Sequence, residues 1–162
     1  MGGTAEDVYT GDVYRETDLD LCGWVTRDER SLLTRDLGFV EDGRHLVHDA
    51  SKVAVEFPEN FIEGDESRIK RMEVRPGSYV AMIGVDDLYL DRVRQATAMS
   101  SESSHPDINE TAALAVAVAA YDDIDWRYVD RAIRDTEKRD PALGGLMRKI
   151  HHRVRRKMLR SI

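Results

Sequence analysis

Apolar and polar residues alternate with period two in several short stretches of the first half of the chain. Such alternation is typical of strands with one buried and one exposed face. A glycine-led start predicts a short helix over residues 3–9. The capping-box spacing of Thr26 and Glu29 predicts a second helix, with Leu33 and Leu37 facing inward and Gly38 ending it. The predicted strands cover residues 18–25, 39–40, 44–48, 53–57, 69–74 and 78–83, and the last two form a hairpin about Pro76-Gly77.

After Gly84 the apolar residues recur every three to four positions, which indicates helices. We expect residues 100–104 to be a linker, and Pro141 and Gly144-Gly145 to break the chain before the last helix. The predicted helices are one capped by Asp86, one over residues 109–121, one capped by Asp125, and one over residues 146–159 with Leu146/Met147, Ile150 and Val154 facing inward.

This order of elements predicts an α/β (α+β) fold. Residues 1–84 are expected to form an α/β core, a small mixed sheet with flanking helices. Residues 85–162 are expected to form a C-terminal helical segment that packs on this core, so that the chain is one compact unit.

Two carboxylates share one face of the first predicted strand. In Asp18-Leu19-Asp20-Leu21 the acids point one way and the leucines the other. Neighbouring carboxylates repel unless a cation lies between them, and hard oxygen ligands suit Mg²⁺. In the strand at residues 53–57, Glu56 stands on the face opposite Val53 and Val55. A half-exposed acidic edge strand remains the alternative interpretation, because the whole chain is acidic.

The order and spacing of these stretches resemble the nucleotidyltransferase superfamily that includes DNA polymerase β. The resemblance is to its small prokaryotic members, including the toxins of abortive-infection systems, and it runs from Gly2 to about Lys138. It rests on Gly2-Gly3-Thr4-Ala5, Arg15-Glu16-Thr17-Asp18-Leu19-Asp20-Leu21, Leu37-Gly38-Phe39, Val55-Glu56-Phe57-Pro58, Asp86-Asp87-Leu88-Tyr89-Leu90-Asp91-Arg92 and Asp123-Ile124-Asp125-Trp126.

The resemblance implies transfer of a nucleotidyl group from a nucleoside triphosphate to a hydroxyl of RNA, a protein or a small molecule. Asp18 and Asp20 correspond to ligands of Mg²⁺ or Mn²⁺. Glu56 corresponds to a third metal-binding acid that also helps to activate the acceptor hydroxyl.

The resemblance also implies a phosphate-binding set. Gly2 and Gly3 match the glycines that cradle phosphates, with Thr4 beside them. Arg15 can reach a phosphate or form a surface salt bridge. Arg92 aligns with a basic residue, typically lysine in the toxin-type members, on the helix after the sheet.

The N-terminus departs from the family pattern, in which a helix and a strand precede the glycine pair. Here the pair follows Met1 directly. Two interpretations remain open: residues upstream are missing from the sequence, or the chain is a truncated relative. The second interpretation gives an alternative function, a non-catalytic nucleotidyltransferase-like binding protein of a toxin–antitoxin type locus, with a cognate antitoxin as partner.

Composition predicts a cytoplasmic protein with no membrane span and no signal segment. The single cysteine, Cys22, excludes an internal disulfide. Arginine outnumbers lysine by 19 to 5 and the formal net charge is −7, a balance that resembles salt-adapted proteins such as those of haloarchaea.

Charge is distributed unevenly along the chain. Residues 144–162 contain seven Lys and Arg and no Asp or Glu, so the other 143 residues carry a formal charge of −14. We expect this basic tail to be chiefly structural, docking its apolar stripe on the acidic body. RNA binding by the tail is the alternative, and it would weaken steeply with salt.

Overall fold

The structure, a computed structural model, describes residues 3–11, 18–58, 62, 64–99 and 108–160. Its helices are α1 (Gly3–Thr10), α2 (Arg27–Arg35), α3 (Val85–Met99), α4 (Ile108–Ala119), α5 (Trp126–Arg139) and α6 (Pro141–Met158). Its strands are β1 (Asp18–Asp20), β2 (Val40–Asp42), β3 (His45–His48), β4 (Val53–Glu56), β5 (Lys70–Arg75) and β6 (Ser78–Met82). The fold is α+β, as predicted, and the predicted linker at residues 100–104 lies outside the described residues.

Four strands form a mixed sheet in the order β1-β4-β3-β2, and β5 and β6 form the predicted hairpin. The β1–β4 pair is parallel and the other pairs are antiparallel. The first strand is shorter than the predicted range 18–25. Its partner β4 ends at Glu56, and the last hydrogen bond between the two strands joins the Leu21 amide to the Glu56 carbonyl at 2.9 Å. Gly23 then turns the chain at φ +141°.

The hydrophobic core lies mainly among the four helices after residue 84. Leu88, Val116, Val129 and Val154, one from each of α3 to α6, have no exposed surface. Ala5 of α1 and Ile83 after β6 complete the core. The core therefore joins α1, which adjoins the mixed sheet, to the helical segment. None of the described helices is long and apolar enough to span a membrane.

Two predictions about the helix ends hold and two are wrong. Thr26 and Glu29 form the expected capping box, and Asp125 caps α5 by accepting from the amides of Arg127 and Tyr128. Asp86 is not a cap, because α3 begins one residue earlier. Leu37 does not face inward: it is 58% exposed, since α2 ends at Arg35 and the chain turns at Gly38 with φ +77°.

The predicted break holds at Pro141, where α5 has ended at Arg139 and α6 begins, but it is wrong at Gly144-Gly145, which lie inside α6. The Asp140 carboxylate caps α6 by accepting from the Leu143 amide at 3.0 Å, and Pro141 occupies the first turn, where its missing N–H costs nothing. A Cβ at Gly144 would strike the backbone of Glu137 in α5. The glycine therefore allows the close approach of α5 and α6.

We expect Gly144→Ala and Gly145→Ala to change stability in opposite directions. At Gly144 the added methyl group meets the α5 backbone, so overpacking should lower the free energy of unfolding by about 1–3 kcal/mol. At Gly145 it meets nothing within 4 Å, and its better helix propensity should raise stability by roughly 0.5–1 kcal/mol. Urea unfolding of both variants checks the pair, and a stabilising Gly144→Ala would disprove the close approach.

The inner face of α6 docks on the body, as predicted. Met147, Ile150, Val154 and Met158 are buried, which confirms the predicted positions of Ile150 and Val154, whereas Leu146, which was also predicted to face inward, is 39% exposed. The tail also pairs with an acid of the body, because Arg153 and Lys157 reach the two oxygens of Glu110 at 2.6 and 2.8 Å. Although burial opposes it, these two cations hold the pKa of Glu110 below its usual value.

His151 lies within this docked face and is only 2% exposed. Its Nδ1 lies 2.9 Å from the Tyr89 hydroxyl, and its Nε2 lies 3.2 Å from Oδ1 of Asp130. A neutral ring that accepts at Nδ1 suits the Tyr89 hydroxyl, whereas Nε2, although it lies near Asp130, makes no hydrogen bond among the described residues. Burial, aided by the positive charge of Arg155, lowers the pKa of His151 to about 4, although Asp130 acts in the opposite direction.

Candidate functional site on the acidic face of the mixed sheet

The strand register brings the three predicted acids to one face of the sheet. Asp20 of β1 is the register partner of Glu56 of β4, and Asp18 lies two residues before Asp20. Partners in neighbouring strands project to the same side, and so do residues two apart in one strand. Leu19 and its partner Val55 project to the other side, where Val55 is 4% exposed. The predicted shared face is therefore confirmed.

The arrangement of the three acids affects the pKa of Asp20. Its pKa is raised, first by burial and further by the negative charges of Glu56 and Asp18, while Arg92 lowers it. A carboxylate crowded by two others favours a bound proton or a bound cation. The face therefore attracts positive charge, as the alternating acids predicted.

Glu56 already has two basic side chains, an arginine and a histidine, as neighbours. Its Oε1 lies 3.1 Å from Nε of Arg44, and its Oε2 lies 3.1 Å from Nε2 of His45. Sequence reasoning missed both partners. The signal for His45 was available, because a hairpin turn centred between residues 50 and 51 places residue 45 of β3 opposite residue 56 of β4.

The first turn of α1 lies against β1. The Thr4 hydroxyl donates to the Asp18 carbonyl at 2.6 Å, which holds the start of the helix beside the acids. The helix begins at Gly3, and its first amides have no partner within the helix. Of the predicted phosphate-binding residues, Gly3 and Thr4 are therefore beside the site, while Gly2 and Arg15 lie outside the described residues.

Arg92 is 8% exposed and is held in a buried network. Its Nε donates to Glu6 of α1 at 2.8 Å, and its Nη1 donates to Gln95 at 3.0 Å. Sequence reasoning missed Glu6, since the partners are 86 residues apart in the chain. This pair ties α1 to α3 next to the acidic face, and direct contact of Arg92 with a phosphate stays a prediction.

The neighbouring acids Asp86 and Asp87 belong to a separate cluster that holds the loop before β5. Asp86 accepts from Nη1 of Arg68 at 2.7 Å and from the Asp125 amide at 2.6 Å. Asp87 accepts from the Tyr128 hydroxyl and the Asp65 amide. Both carboxylates are therefore engaged in joining α3 to α5 and to this loop.

An apolar cavity of about 190 Å³ adjoins Asp20. It lies between α1, β1 and the β5–β6 hairpin. Its lining includes Val8, Leu21, Cys22, Met72, Val80 and Met82. A flat apolar group can therefore lie here, next to the acidic face.

A divalent cation fits part of this donor set. Asp18 and Asp20 offer hard oxygens on adjacent positions of one face, which suits Mg²⁺. Glu56, however, is turned to Arg44 and His45, and among the described residues no group of three or more His, Cys, Asp and Glu side chains is arranged to hold a metal ion. The aspartate pair supplies oxygens of the kind that suit a metal, and Glu56 must leave Arg44 and His45 to join it.

Comparison with known proteins adds no relative. The chain matches no family model, no curated protein and no solved structure.

Proposed function

We propose that this chain is a metal-dependent nucleotidyltransferase that acts in the cytoplasm and transfers a nucleotidyl group from a nucleoside triphosphate to a hydroxyl acceptor. The observation that carries the proposal is the register that sets Asp20 level with Glu56, with Asp18 on the same face. Nucleotidyl transfer depends mainly on positioning the phosphates and balancing their charge, and little on covalent chemistry by protein groups. A compact acidic face beside a helix N-terminus supports that chemistry.

Each part of the face has a role in this proposal. A bound divalent cation supplies Lewis acidity and neutralises phosphate charge. Asp18 and Asp20 hold the cation, and the amides of the first turn of α1 orient the phosphates. The apolar cavity beside Asp20 accepts the base. Glu56, once released from Arg44 and His45, accepts the proton of the attacking hydroxyl.

Adding MgCl₂ and ATP should raise the melting temperature of the wild-type chain by about 5 °C or more at a hundredfold excess over Kd. Asp20→Asn should remove this shift, because it deletes a ligand charge with little change in shape. Asp42→Asn, on the exposed β2 strand of the same sheet, is the matched control and should keep the shift. Equal shifts in wild type and Asp20→Asn would place the nucleotide elsewhere and refute the proposed site.

One observation favours the alternative, a non-catalytic nucleotidyltransferase-like binding protein with a cognate antitoxin. Arg44 and His45 already contact both oxygens of Glu56, as expected where no metal has to be shared. The two functions differ in their products. Incubation with α-labelled ATP, Mg²⁺ and mixed RNA and protein acceptors should yield labelled acceptor only if the chain is a transferase.

A further inference from the structure

The basic residues of α6 and of the turn that follows it divide into two sets with different surroundings. Four of them are engaged with the body of the protein. Arg153 and Lys157 bind Glu110, Arg148 binds Glu137 at 3.0 Å, and Arg155 lies 5.0 Å above the ring of Trp126. These four cations and the buried apolar stripe thus hold the helix against the body of the protein.

The second set is the outer basic face, which consists of Lys149, Arg156 and Arg160. All three side chains are exposed. Within the part of the chain that the structure describes, no hydrogen bond or ion pair engages them. Lys149 and Arg156 lie seven residues apart, so they share one side of α6 over about 10 Å, and Arg160 follows in the turn after the helix. Lys149 and Arg156 also line an open groove of about 480 Å³ with His152 and Arg153.

We propose that the outer basic face binds the phosphate backbone of RNA. Residues 144–162 hold no acid, while the remainder of the chain carries −14, so this face is a line of positive charge on an acidic protein. A partner with repeated negative charges matches the line, and an acidic body would repel such a partner everywhere else. RNA supplies those charges at regular intervals along its backbone.

Other partners fit this face less well. A helix that binds a membrane surface inserts apolar side chains, but the apolar stripe of α6 is buried in the core. Base reading in DNA commonly uses Asn, Gln, Ser or Thr beside arginine, and α6 contains none of these. The choice of RNA over DNA rests on the proposed function, because RNA is the polyanion among its candidate acceptors; phosphate binding itself does not depend on that function.

The test measures fluorescence anisotropy of a labelled 20-nucleotide RNA hairpin with the full chain over a series of KCl concentrations. The test variant is Lys149→Gln/Arg156→Gln/Arg160→Gln. The matched control is Arg27→Gln/Arg35→Gln/Arg134→Gln, which removes the same charge from exposed positions on α2 and α5. A DNA duplex of the same sequence and vesicles containing phosphatidylserine form two further arms.

The test variant should weaken RNA binding by tenfold or more near 100 mM salt and reduce the slope of log K against log salt by about 2–3. The control variant should change both the affinity for RNA and the salt slope much less. The proposal would be overturned if the wild-type chain did not bind RNA, if the slope were unchanged in the test variant, or if both variants lost the same affinity. Equal or tighter binding of DNA or of vesicles at these residues would overturn the choice of RNA.

Two further measurements separate this inference from the proposed function. Asp20→Asn should bind the hairpin as tightly as wild type, because it does not touch α6. The Lys149/Arg156/Arg160 variant should keep the melting shift with Mg²⁺ and ATP. A chain that binds RNA but shows no such shift would refute the transferase and with it the ground for preferring RNA, while the phosphate-binding face would stand.

Discussion

Removing residues 144–162 is expected to abolish cooperative unfolding of the chain. The deletion takes away Met147, Ile150, Val154 and Met158, which are buried against α3, α4 and α5. At about 1.5–3 kcal/mol for each large apolar side chain, the loss is roughly 6–12 kcal/mol. That equals most or all of the stability of a typical domain, about 5–15 kcal/mol. Circular dichroism at 222 nm during heating measures the result.

A chain that ends at Leu159 is the control for this deletion. It keeps every buried residue of α6, so its free energy of unfolding should lie within about 0.5 kcal/mol of the wild-type value. If the long deletion also melts cooperatively near the wild-type temperature, the helix is not part of the core. The basic tail would then contribute only its outer basic face and no packing to the core.

Acidification from pH 7 to pH 5 should lower the free energy of unfolding by about 2 kcal/mol through His151. The pKa of this ring is about 4 in the folded chain and about 6.5 when the chain is unfolded. Between these values the unfolded state binds a proton that the folded state excludes, so stability is complete above pH 6.5 and falls as the pH drops towards 4. Urea unfolding at half-unit pH steps gives the slope.

His151→Gln should remove most of this dependence between pH 7 and pH 5, because glutamine does not titrate. It should also lower stability at pH 7, since the contacts to Tyr89 and Asp130 are disturbed. His152→Gln is the matched control, as His152 is the exposed neighbour on the same helix. If His152→Gln flattens the profile and His151→Gln does not, the titrating group has been assigned wrongly.

Local patterns predicted the acidic face better than they predicted its surroundings. Period-two alternation is a property of a single strand, so it correctly placed Asp18 and Asp20 together and Glu56 opposite its apolar neighbours. The parallel pairing of β1 with β4 joins segments 36 residues apart, and no local signal sets that register. The same holds for Glu6 with Arg92, whose contact depends on how α1 packs against α3.

The errors at α6 have a different physical origin. Proline and glycine end helices when they lie in an isolated helix interior, and the sequence rule assumes that setting. Pro141 stands in the first turn of α6, so it marks the break that was predicted, whereas Gly144 faces α5 and is accommodated inside the helix that it was predicted to interrupt. A pairwise contact such as that of Gly144 with Glu137 cannot be deduced from one segment alone.

The sheet order also affects how the protein behaves when it is concentrated. β2 is an outer strand, all three of its residues are exposed, and two of them, Glu41 and Asp42, are acids. If two copies added edge to edge along β2, these carboxylates would come together, and Arg30, which binds Glu41 at 2.9 Å, would offset part of their repulsion. Charged outer strands of this kind oppose the growth of one sheet into the next. The two acids of β2 therefore help to protect this edge of the sheet against aggregation.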